Sequence, residues 1–438
     1  MNKIALLAVG VAFGAAALDA HAADAALRND IAADYRERLA ALFEHFHRNP
    51  ELSGREFETS KRLAQELRSL GYEVTEGVGK TGVVAVMRNG PGPTVLLRAD
   101  MDGLPVEEKS GLPYASTVRQ VDITGVEQPA MHACGHDVHV TAMIGSARQL
   151  AARKDAWSGT LVLIGQPAEE RVMGARDMLA DGLYTRFPKP DYALGFHVWA
   201  TLGAGKIMVP QTIALSSADS VDIVVHGVGT HGASPHRGID PVLVAAQIVV
   251  SLQSLVSRSI DPLEAGIVTV GAIHGGTKHN IIGDRVDMQL TVRADNYETR
   301  ETLLKGIERI AHGVARSFGV PDDLLPKVIP SQTETTPPTL NDEPTAARIE
   351  SLFSEHFGAD RVPPNKREGM GGEDFAYYGA PEHGVKAVFF FVGGTPEAEL
   401  ASVAAHHSAL FKVAPEPSIT TGVEAMVVGA MSLMPHGR

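Results

Sequence analysis

The chain is poor in cysteine, in aromatic residues and in positive charge. It holds one cysteine in 438 residues, two tryptophans, and aromatic side chains at 5%. One cysteine excludes an internal disulfide, so the fold must rest on its apolar core. The formal net charge is −13 at pH 7. The charges are spread rather than run in blocks, which argues against nucleic acid and anionic membranes as partners. No P-loop and no dinucleotide glycine fingerprint is present; the glycine-rich 369–372 carries no lysine. There are no internal repeats or low-complexity tracts. Beyond the first 18 residues no stretch reads as long and apolar enough to span a bilayer, for which about 20 residues are needed.

The N-terminus has a different texture. Met1-Asn2-Lys3 carries one positive charge, residues 4–18 are apolar, and Ala20-His21-Ala22 is a small-x-small site. This is the layout of a secretory signal peptide, with cleavage expected after Ala22. A periplasmic or secreted protein follows from it, with no membrane partner after cleavage. The remaining chain is long enough for two domains.

The lone cysteine lies in Met131-His132-Ala133-Cys134-Gly135-His136-Asp137-Val138-His139. Cys134 and His136, separated by a glycine, can turn a thiolate and an imidazole onto one ion, a donor pair that suits zinc or a similar divalent metal. The bland alternative is a buried thiol beside unrelated histidines. A helix is expected from Val138 to Ala152, with Asp137 as its cap.

Other candidate groups follow apolar runs that read as buried strands. Residues 94–97 lead to Asp100 and Asp102. Residues 161–164 lead to Gln166-Pro167-Ala168-Glu169-Glu170, and 192–196 lead to His197. An α/β sheet places its chemistry at such strand exits. Near the C-terminus 386–392 reads as another buried strand, followed by His406-His407. Helices are expected over 26–48, 57–70, 343–357 and 419–434. Residues 116–129 read as a polar loop.

From about residue 213 the pattern becomes alternating, at 221–225 and 286–292, as in half-exposed antiparallel strands. Residues 267–273 add a strand, and helices are expected at 241–257 and 299–318. These features describe an α+β domain over 213–326, inserted into an α/β domain made of 23–212 and 327–438. The first domain would have a mostly parallel sheet flanked by helices. A Pro- and Thr-rich link is expected after Pro326.

Taken together, Arg98-Ala99-Asp100-Met101-Asp102, Met131 to His139, Gln166 to Glu170, His231-Gly232-Ala233-Ser234-Pro235-His236 and Gly371-Gly372-Glu373-Asp374-Phe375 resemble the M20 metallopeptidase family. The likeness is to its aminoacylase-like branch of hippurate and auxin-conjugate hydrolases. It covers nearly the whole chain after residue 22. The resemblance implies two divalent metal ions per subunit. Zinc is favoured by the thiolate; manganese, cobalt and nickel are alternatives. It implies Cys134, His136, Glu170, His197 and His407 as ligands, with His406 the alternative to His407. Glu169 would be the general base, or exchange roles with Glu170. His231, or else His236, would stabilise the tetrahedral intermediate. Asn280 and Arg293 would hold a substrate carboxylate, and Asp102 would stand behind the metals. The inserted domain would be a lid and a homodimer surface. The implied substrate is an N-acyl amino acid or a short peptide. A carboxypeptidase or dipeptidase, and a non-catalytic receptor for amino-acid conjugates, are the competing readings. This chain departs from the family pattern at Thr230, Gly283, Ala409 and Lys412, none of which is a proposed ligand.

Overall fold

A computed structural model describes residues 24–436. The expected signal segment, 1–22, lies outside them. The first layer is built on a seven-stranded sheet in the order Glu73–Val78, Gly82–Asn89, Gly159–Gln166, Thr94–Asp100, Tyr192–Gly203, Lys386–Thr395, Ile207–Met208. The four strands from Gly159–Gln166 to Lys386–Thr395 are parallel, and antiparallel strands close both edges. Continuous apolar runs such as Val95-Leu96-Leu97 suit this position, because helices cover both faces of a parallel sheet. The helices His136–Ala152, Glu343–Phe357 and Pro415–Leu433 pack on one face. Short helical segments at Gly174–Ala180 and Asp374–Tyr377 pack on the other. The mixed α/β architecture expected from the sequence is present.

Local differences are informative. The first helix passes through a π-helical turn at Tyr35–Leu39. The loop 116–129 carries a short hairpin, Arg119–Val121 against Glu127–Pro129. The metal-site helix begins at His136, not Val138, and Gly135 occupies the cap position. Asp137 therefore sits inside the first turn and is not the cap.

The chain leaves the first layer at Ile213–Leu215 and returns at Thr339–Leu340, and these two short strands pair with each other. Between them lies an antiparallel sheet in the order Gly266–Gly275, Arg285–Ala294, Ala218–His226, Lys327–Thr336. Two helices, Pro241–Ser254 and Tyr297–Ser317, cover one face and enclose a separate core. The division expected at 326 is corrected by the fourth strand, Lys327–Thr336, which belongs to this second sheet. Its proline and threonines read as a link. However, Pro330 is tolerated because the strand lies at the sheet edge, at a break in register opposite Val221.

The expectation of no later apolar segment of spanning length does not hold among the described residues. Helix Pro241–Ser259 is long and apolar enough by composition. Its inner residues Val244, Ile248, Leu252 and Leu255 are buried in the second core, while Val242, Leu243 and Val250 are exposed.

Candidate metal centre

The site lies where the parallel strands end. Gly135 makes the turn that sets Cys134 and His136 side by side. Its φ is +89°, and a Cβ there would lie 2.3 Å from Val198 Cγ1, so only glycine fits. Cys134 Sγ is 3.4 Å from His197 Nε2 and 3.4 Å from His407 Nε2. His407 Nε2 is 3.3 Å from Glu170 Oε2, and His136 Nε2 is 3.8 Å from Glu170 Oε1. Cys134, His136 and His197 form one group able to hold a metal ion; Cys134, Glu170 and His407 form a second.

The donor atoms are prepared for a cation. Both ring nitrogens of His136 and Glu170 Oε1 are buried without a hydrogen-bond partner. His197 Nδ1 donates to Val198 O at 2.6 Å, which leaves Nε2 as a lone pair facing Cys134. Asp102 Oδ1 stands 3.4 Å behind His136 Nδ1. His139 is saturated: Nε2 accepts from Val198 N, so Nδ1 donates to Asp100. Likewise His406 Nε2 accepts from Ala200 N, and its Nδ1 is 3.8 Å from Cys134 Sγ. His407 is thus the closer of the adjacent pair, held at a left-handed φ of 66°. His132 and His139 are both buried.

Burial and crowding set the charges. Burial, with Glu170 and Glu169 nearby, pushes the Cys134 thiol well above its usual range. Burial and Asp102 raise Glu170 to about 8, against an opposing pull from His136. Burial, Glu373 and Glu170 hold Glu169 well above the ordinary carboxyl range.

Beneath Glu169 lies a charged core that the sequence reading did not assign. Arg98, fully buried, donates to Gln166 Oε1 at 2.9 Å, Asp100 Oδ2 at 2.5 Å, Glu373 Oε1 at 2.6 Å and Asp374 Oδ1 at 3.2 Å. The available signal was an arginine inside an otherwise apolar strand run. On the opposite side, Glu56 accepts from Ala168 N at 2.9 Å, and Asp102 accepts from Glu169 N and Glu170 N, each at 3.1 Å. Nothing in the sequence singles out Glu56.

A cleft of about 520 Å³ opens over Cys134, Glu169, Glu170, His197, His406 and His407, and faces Ser220, Thr291 and Arg293 of the second sheet. Arg293 makes no ion pair or hydrogen bond with another described residue, and the Asp219 carboxylate, which lines the same cleft, acts on its charge. An apolar recess of about 170 Å³ adjoins the cleft and shares Trp199 and Leu215 with it, walled by Met208, Ala214 and Phe391. His231 and Asn280 do not line the cleft. They lie together on the inserted domain, where Thr230–His231 pairs with Ile281–Ile282 and Gly232 N donates to Asn280 O. His231 is exposed, as is His236.

An α/β sheet whose strand ends gather thiol, imidazole and carboxylate donors around a buried glutamate defines a metal-dependent hydrolase. The family model "Peptidase family M20/M25/M40" matches residues 96–428, and the chain belongs to that family as a metal-dependent amidohydrolase. Hippurate hydrolase of Campylobacter jejuni is 36% identical over 346 residues, 79% of this chain and 86% of that protein. Thermostable carboxypeptidase 2 of Saccharolobus solfataricus is 34% identical over 391 residues, 88% of this chain and 93% of that protein. A dinuclear metal-binding peptidase of the M20 family from Bacillus subtilis superposes with a TM-score of 0.72 at 28% identity, over 91% of this chain and 99% of that one.

Proposed function

We propose that the protein hydrolyses the amide bond of N-acyl amino acids at a two-metal centre. Cys134, His136, Glu170, His197 and His407 would hold the ions, with zinc favoured and manganese, cobalt or nickel as alternatives. Such ions supply Lewis acidity and lower the pKa of a bound water toward ~7. Glu169 takes the water's proton and returns it to the leaving amine. Arg293 receives the substrate carboxylate, for which a guanidinium offers two parallel hydrogen bonds. The apolar recess beside Trp199 accepts an apolar substituent of the substrate.

The observation that carries this reading is the convergence of five donor side chains, three of their buried atoms unpaired, around a sixth residue, Glu169, under a cleft lined by Arg293. Similarity to hippurate hydrolase supports the acylated substrate. Similarity to a carboxypeptidase supports the second reading, a peptidase using the same centre.

The test is hydrolysis of N-benzoyl and N-acetyl amino acids against free-amine dipeptides, before and after chelation and metal return. Activity on the acylated set that is lost on chelation and restored by metal supports the proposal. Retained cleavage without metal overturns it, and faster cleavage of dipeptides selects the peptidase. Tight binding of the acylated set without turnover in metal-loaded protein selects the receptor. Glu169→Gln should abolish turnover with metal still bound.

Export with cleavage after Ala22 is checked by cell fractionation and N-terminal sequencing. A homodimer through the inserted domain accords with exposed Val242, Leu243 and Val250 on helix Pro241–Ser254, and with His231 and Asn280 lying away from the cleft of their own chain. A monomer in light scattering at assay concentration would reject it.

A further inference from the structure

We propose that Glu56 is a positioning residue for the general base, acting through the backbone of the elbow that carries Glu169. The elbow is unusual. Ala168 and Val172 both adopt left-handed conformations, with φ of 50° and 48°, and neither is glycine. Such residues persist only where their surroundings impose the conformation. Between them the chain makes one 3-10 turn, Glu169–Arg171. Three successive amides, those of Ala168, Glu169 and Glu170, each donate to a buried carboxylate.

Asp102 takes two of these amides, and Glu56 takes the first. Glu56 is fully buried and itself held on both oxygens. Oε1 also accepts from Gly54 N at 2.7 Å, and Oε2 accepts from Thr81 Oγ1 at 2.6 Å. Ser53, three residues earlier, donates to Asp102 Oδ2 at 2.6 Å. One segment, residues 53–56, therefore anchors both carboxylates that grip the elbow. Asp102 also stands behind His136, so its loss would disturb the metal ligands directly. Glu56 makes no hydrogen bond to a proposed ligand side chain; its partners are Gly54, Thr81 and Ala168. Its one bond to the elbow is to the amide directly preceding Glu169, at the strained residue. Its effect should therefore fall on the position of the base, where a displacement of about 1 Å lowers turnover on the order of a hundred-fold.

The proposal rests on Glu169 being the base, and the experiment separates the two claims. Glu56→Ala, Glu56→Gln and Glu169→Gln are compared in metal-loaded protein for kcat, KM and metal content. Amide hydrogen exchange over 168–171 is measured in the metal-free protein. Glu56→Ala should lose kcat by roughly thirty- to a hundred-fold with KM within about threefold and metal retained. Its elbow amides should exchange faster. Glu56→Gln keeps an acceptor oxygen for Ala168 N and should restore kcat to within about threefold of the parent. If Glu56→Ala does not fold, Thr81→Val removes the bond that orients the carboxylate; a kcat loss at constant KM supports the proposal, and an unchanged kcat overturns it. Stability loss in Glu56→Ala with kcat per folded molecule unchanged also overturns it, as does a kcat loss with unaltered exchange at the elbow. If Glu169→Gln remains active, the base assignment and this proposal fall together. If Glu169→Gln is dead and Glu56→Ala is fully active, only this proposal falls.

Discussion

His47 should make the stability of the catalytic layer fall as pH rises from neutrality. The imidazole is buried between two acids: Nδ1 lies 2.7 Å from Asp137 Oδ2, and Nε2 lies 3.1 Å from Glu108 Oε1. Burial alone would lower its pKa. The hydrogen bonds and charges of Asp137 and Glu108 outweigh burial and raise it from 6.5 to about 9. The folded pKa therefore exceeds the unfolded one. Below about 6.5 both states hold the proton and the stabilisation is complete. Between about 6.5 and 9 only the folded state holds it, so stability falls by about 1.4 kcal/mol per pH unit, about 3 kcal/mol in all. The perturbation is His47→Gln, which can donate a hydrogen bond and does not titrate. Both proteins are unfolded in urea at intervals from pH 6 to pH 10. Intrinsic fluorescence reports the right layer, because both tryptophans, Trp157 and Trp199, belong to it. The parent's advantage over His47→Gln should shrink by about 3 kcal/mol across this range. Titrating groups that do not interact with His47 cancel in the difference; Asp137 and Glu108, which it holds below the ordinary carboxyl range, do not. A difference that stays flat, or grows with pH, would refute the reasoning.

Cys134→Ser should lose metal and activity together while keeping the fold, and elemental analysis showing a normal metal content would reject Cys134 as a ligand. Because burial holds the parent thiol protonated, metal uptake must release that proton, so apparent affinity should rise with pH in the parent and less steeply in the serine variant. Arg98→Met would strand the buried carboxylates of Asp100, Glu373 and Asp374 without their cation, at a cost of about 3–5 kcal/mol. A urea midpoint equal to the parent's would show that those acids are neutral without it.

Much of the fold was legible because a parallel sheet buries both faces. Runs such as Leu161-Val162-Leu163-Ile164 have no other comfortable place in a soluble layer. The candidate centre was legible where donors crowd in sequence, at Cys134 and His136, and where they follow such runs, at Glu169, Glu170 and His197. What escaped was what neighbours in space decide. Nothing local distinguishes His406 from His407; the amide of Ala200, some 200 residues away, occupies one of them. Glu56 reads as an ordinary surface acid, and its partner Ala168 is 112 positions distant. Lys327–Thr336 carries a proline and many polar residues, and only its place at a sheet edge makes it a strand. Helix Pro241–Ser254 shows apolar residues on its outer face as well, so composition alone does not separate core from surface there.

The pairing of Ile213–Leu215 with Thr339–Leu340 also bears on how the chain acquires its structure. Strand Lys386–Thr395 joins the first sheet only after the whole insertion has been made, so 123 residues, 216–338, separate the two sides of that seam. As a disordered loop, a segment of that length would cost about 3 kcal/mol more to close than one of about four residues, at about 0.6 kcal/mol per doubling. The insertion has its own core, and its two ends emerge side by side. Once folded, it joins the two sides of that seam through a short paired junction instead of a long tether. The loop-closure cost of the first sheet is thereby set by the short paired junction and not by the length of the insertion.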